Sequence, residues 1–84
     1  MIDKRLQPVE WSEFIYELED AFEHLGKLIK DVDQVTDYDD DTLRVDLGHV
    51  YAHLNRAWRR SSMALADRDR EWATRFPDDL APIG

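Results

Sequence analysis

Apolar residues recur at helical spacing in two stretches, and the stretches match each other in reverse order. The first is Trp11, Phe14, Leu18, Phe22, Leu25, Ile29 and Val32; the second is Leu43, Leu47, Val50, Leu54, Trp58 and Leu65. Pairing positions that sum to about 76 sets Leu18 beside Trp58, Phe22 beside Leu54, Ile29 beside Leu47 and Val32 beside Leu43. That register belongs to an antiparallel helical hairpin, with the paired residues as its seam and core. The expected fold is therefore all-α: one hairpin domain over 1–84, with helices at about 8–35 and 41–76, a lead-in at 1–7 and an extended tail at 77–84.

Local signals place the ends of these helices. Pro8 suits the first position of a helix, where its missing N–H costs nothing, and Glu10 lies near the positive end of the dipole. Residues 36–41 form the connection, and Asp39, Asp40, Asp41 and Thr42 are all acceptable N-caps. Apart from Gly48, nothing interrupts the second helical pattern before Pro77, so that helix is expected to outrun the first and leave Trp72 and Phe76 overhanging. Ile2, Leu6 and Val9, or a second subunit, would cover them. Leu80 and Ile83 offer the tail a means of docking.

Charge supports the same pairing. The net charge is −8, yet residues 1–46 carry fourteen acids and five bases, and residues 47–76 carry three acids and six bases. The hairpin register lays Glu10, Glu13, Glu17 and Asp20 alongside Arg56, Arg59, Arg60 and Arg68, which favours the antiparallel arrangement over alternatives.

A two-helix hairpin is a thin core for 84 residues, and no cysteine is present to staple it. The first helix also carries an apolar stripe roughly 160° wide, more than one neighbour covers. Self-association as a homodimer, forming a four-helix bundle, is the expected source of stability. The flank residues Ala21, Leu28, Val50, Ala57 and Ala64, with Trp72 and Phe76, are the candidate interface.

The one constellation suited to chemistry is Asp46-x-x-His49-x-x-x-His53, whose spacing puts three side chains on one helical face. The register brings His24 level with His53 and Glu17 within one or two turns. Together these five residues could serve zinc or another transition metal. Their bland reading is hydrogen-bonded histidines at the edge of an apolar stripe. The chain lacks the repeated Glu-x-x-His of di-iron bundles.

Other chemistries find less. Asp37, Asp39 and Asp41 alternate like calcium-loop ligands, but Thr42 and Gly48 stand where such a loop needs Gly and Glu. Arg56, Arg59 and Arg60 form a basic cluster around Trp58, yet a −8 chain repels phosphate backbone, and nucleic-acid binding is not expected. There is no phosphate loop and no nucleophile elbow, so no catalytic residues and no cofactor are assigned. No signal-peptide core or membrane-spanning run is present, which makes a cytoplasmic protein the default. The expected role is a non-enzymatic, self-associating interaction or regulatory module with a protein partner; a metal-binding bundle is the alternative.

Overall fold

The computed structural model describes residues 1–62 and 79–84. Among these residues two helices, α1 (Pro8–Gln34) and α2 (Asp40–Arg60), pack against each other and no strand occurs. Helix α1 begins with Pro8 in its first turn and Glu10 beside it. Helix α2 is capped by Asp39, whose Oδ1 accepts from the Thr42 backbone N–H at 2.8 Å and from the Thr42 hydroxyl at 2.7 Å. The acidic connection thus serves as a helix cap.

Helix α2 stops well short of residue 76. Ser61 and Ser62 form a turn in which their hydroxyls donate to the carbonyls of Trp58 (2.5 Å) and Arg59 (3.3 Å). Serine hydroxyls that bond the preceding turn compete with helix continuation, a local signal that apolar periodicity does not register. At about 1.5 Å per residue α2 spans about 30 Å against about 40 Å for α1, so α2 is the shorter helix. The expectations placed on Ala64, Leu65, Arg68, Trp72 and Phe76 fall outside the described residues.

The core is not the seam that the apolar stripes suggest. The buried helical residues are Glu17, Ala21 and Leu28 on α1 and Val50, Asn55 and Ala57 on α2. Ala21, Leu28, Val50 and Ala57 occupy the line between the helices, so these four, expected at a subunit interface, are used within the hairpin itself. Small side chains at Ala21 and Ala57 let the backbones approach closely. On α1 the large apolar residues Val32, Leu25, Leu18, Ile29 and Phe22 lie about 40–120° round the helix from that line. They are consequently left open, as are Leu43, Leu47, Tyr51, Leu54 and Trp58 on α2.

The termini close one end. Ile2 is buried, and its backbone N–H donates to the Ser61 carbonyl at 2.8 Å, tying the lead-in to the end of α2. Asp3 Oδ1 accepts from the N–H groups of Arg5 and Leu6, which sets the turn into α1. Leu6 and Val9 remain exposed. At the other terminus the Trp58 indole N–H donates to Asp79 Oδ1 at 2.8 Å. Leu80 through Ile83 then share a cavity with Tyr51, Leu54 and Asn55, but Ile83 itself is 98 % exposed and does not dock.

Candidate functional site

The interhelical line divides the hairpin into two unlike flanks. On one flank lie Glu13, Glu17, Asp20, His24 and Asp31 of α1 with Asp46, His49, His53, Arg56 and Arg60 of α2. On the other lie the large apolar residues. Each helix is oriented by this division: at 100° per residue the charged positions fall on one side of Ala21 and Val50 and the apolar positions on the other.

Glu17 is the centre of the polar flank. Its two carboxylate oxygens accept from Arg56 Nε at 3.1 and 3.0 Å, and Oε2 lies 2.8 Å from His53 Nδ1. Arg60 approaches Oε1 at 3.7 Å and donates to Glu13 at 2.8 Å. The Glu17 side chain is only 10 % exposed, so this is a nearly buried carboxylate compensated by cations from the opposite helix. His53 Nδ1 also lies 2.9 Å from Arg56 Nη2. One nitrogen cannot serve both contacts at once. Carrying a proton it donates to Glu17; without one it accepts from Arg56.

These pairs confirm the reversed register. Glu13 meets Arg60, Glu17 meets Arg56 and His53, and His24 meets His49 and His53, so the paired positions sum to between 70 and 77. The arginines Arg56 and Arg60 are thereby engaged with the acids of α1. Trp58 is not locked in a core, being 37 % exposed, and its polar edge is taken by Asp79.

The five residues considered for a metal come together only in part. His24 stacks on His53 with ring centroids 4.9 Å apart and planes at 21°, and lies 5.9 Å from His49. Glu17 faces arginines. Asp46 accepts from the Tyr38 hydroxyl at 2.7 Å. His24, Asp31 and Asp46 line a small hollow of about 20 Å³ with Lys27, whose ammonium lies 2.5 Å from Asp31 and supplies positive charge there. Among the described residues no group of three or more His, Cys, Asp or Glu side chains has a geometry that could hold a metal ion.

Among the described residues three groups carry shifted pKa values with clear causes. Burial, then the hydrogen bond to Asp46 and its charge, push the Tyr38 phenol up to about 12. The hydrogen bond to Asp31 and its charge raise Lys27. The Thr42 backbone N–H and hydroxyl hold Asp39 below the usual carboxylate range. Tyr38 was not singled out from sequence. Its clue was position, in the connection eight residues before Asp46 and so within reach of the first turns of α2.

The opposite flank is apolar and open. Leu18, Leu25, Leu43 and Trp58 are 37–42 % exposed, Val32, Leu47, Tyr51 and Leu54 44–50 %, Ile29 63 % and Phe22 79 %. At about 200 Å² for each fully exposed large side chain, these ten residues present roughly 1,000 Å² of apolar surface. The largest apolar patch of an ordinary monomer is about 300–600 Å².

No known protein family, curated protein or solved structure matches this chain. No helix among the described residues is long and apolar enough to cross a membrane. The fold and its two flanks define an all-α antiparallel helical hairpin, amphipathic as a unit.

Proposed function

We propose that this chain is a non-enzymatic interaction module that pairs with a second copy through its apolar flank to make a four-helix bundle. One observation carries the reading: ten large apolar side chains from both helices lie open on one side of the hairpin. Their area exceeds the roughly 800 Å² per partner of a standard protein–protein interface. A two-fold axis through this flank would bring four apolar helix faces together, with the tail residues Leu80 to Ile83 taken in beside Tyr51 and Leu54, and leave the Glu17 network on the outside. The interface therefore consists of Leu18, Leu25, Ile29, Leu47, Tyr51 and Leu54, in place of Ala21, Leu28, Val50 and Ala57.

Substitution by charge tests it. Leu25→Glu with Leu54→Glu puts two carboxylates into the proposed contact, and light scattering after gel filtration should show the pair reduced to single chains. An unchanged oligomer would show that another surface carries association. The helical signal at 222 nm must be followed alongside, to separate lost pairing from lost folding.

A metal-binding role for His24, His49 and His53, completed by Asp46 or Glu17, draws support from the meeting of the three imidazoles. It requires the His24–His53 stack to open. Micromolar Zn²⁺ or Ni²⁺ should then raise the melting temperature, and His49→Ala with His53→Ala should abolish the rise. No rise in the unaltered chain ends this reading.

A further inference from the structure

The outer edge of α1 carries a groove that the hairpin does not use. Its floor is Trp11, Ile15, Leu18 and Phe22, formed by two adjoining hollows of about 380 and 490 Å³ that share Ile15 and Glu19. At 1.5 Å per residue the run from Trp11 to Phe22 is about 17 Å long, the length of three helical turns. Glu19 and Glu23 stand one turn apart along its wall. Among the described residues that line it Lys4 is the single cation, at the end away from Glu23.

The acids of α1 divide into two sets. Glu13, Glu17 and Asp20 face Arg60, Arg56 and His53 across the hairpin. Glu19 and Glu23 point the other way and enter no ion pair or side-chain hydrogen bond among the described residues. An apolar floor with an uncompensated acidic wall is complementary to a helix that carries cations beside an apolar stripe.

We infer that this groove docks a basic amphipathic helix of a protein partner, with Glu19 and Glu23 pairing its Lys or Arg side chains and Ile15 and Phe22 receiving its apolar ones. The inference deepens the reading of the chain as an interaction module by naming the kind of partner. Leu18 and Phe22 belong to both surfaces, so the partner helix and a second copy compete for them; self-association is read by sedimentation of the chain without peptide, so failure of either idea is visible on its own.

The probe is a fluorescein-labelled helical peptide of about eighteen residues, with leucines at i, i+3, i+4 and i+7 flanked by lysine and arginine. Its companion has glutamate at every cationic position. Fluorescence anisotropy with the full chain should show the basic peptide binding in the micromolar range and the acidic one not binding. Glu19→Lys with Glu23→Lys should weaken binding by about tenfold or more, and raised salt should weaken it too. Asp33→Lys with Asp37→Lys changes the net charge equally, away from the groove, and should alter affinity less than about twofold. Equal weakening by both double variants would reduce the effect to bulk charge and overturn the proposal. Equal binding of the acidic peptide would reduce it to apolar adhesion. If no peptide binds and the Glu19/Glu23 variant instead shifts the chain's own sedimentation, a second copy fills the groove and the partner helix is refuted.

Discussion

Glu17→Gln is the most informative change in the polar flank. The substitution keeps the shape of the side chain and removes its charge, leaving Arg56 and Arg60 facing a neutral amide. Breaking a fully buried ion pair by removing one partner costs about 3–5 kcal/mol, because the other charge stays desolvated. Here the carboxylate is 10 % exposed but each arginine is 22 % exposed, so water recovers part of the loss. The expected cost is about 2–3 kcal/mol, a large fraction of the stability of a small domain. Urea denaturation followed at 222 nm, at one fixed protein concentration, measures it. Arg56→Gln alone and the double variant complete a cycle, and the coupling between the two positions should be about 1 kcal/mol or more. A cost below about 0.5 kcal/mol would place Glu17 with ordinary surface pairs and refute its role as the compensated centre of the hairpin.

Three further outcomes follow from the same structure. Gly48 lies inside α2 with open space where a Cβ would stand, so Gly48→Ala should add about 0.5–1 kcal/mol by lowering the unfolded chain's entropy, read as a higher urea midpoint. Gly26→Ala, equally open within α1, should behave alike. Burial and the Asp46 contact push the Tyr38 phenol from its ordinary 10 up to about 12; between these values the unfolded chain binds fewer protons, so stability should fall as pH rises from 10 to 12. Urea midpoints on either side of that window check the sign, and Asp46→Asn, which removes the neighbouring charge, should shrink the fall.

Periodicity and charge made the hairpin legible. The reversed register, the Pro8 start, a cap drawn from residues 39–42 and the alignment of the α1 acids with Arg56 and Arg60 all follow from spacing and from the sign of charge. Helical spacing reports that a face is apolar but does not say which part of a wide stripe meets the nearest helix. The choice fell to the smallest residues, because Ala21 and Ala57 allow close approach where Phe22 and Trp58 do not, and the largest residues were left outside. The end of α2 was hidden for a similar reason: Ser61 and Ser62 act through hydroxyl-to-carbonyl bonds that an apolar pattern does not register. His24, His49 and His53 fall on one flank because their offsets from the core line have the same sign. Their contacts were beyond spacing, since a ring stack and a ligand triad share the same positions.

The central claim is that the open apolar flank is buried by a second copy of the chain. Sedimentation equilibrium over a range of micromolar concentrations tests it most directly. The account predicts a mass of twice the 9.9 kDa chain, falling to the single chain on dilution or with Leu25→Glu and Leu54→Glu. A mass of 9.9 kDa at every concentration, with α1 and α2 still folded, would contradict it.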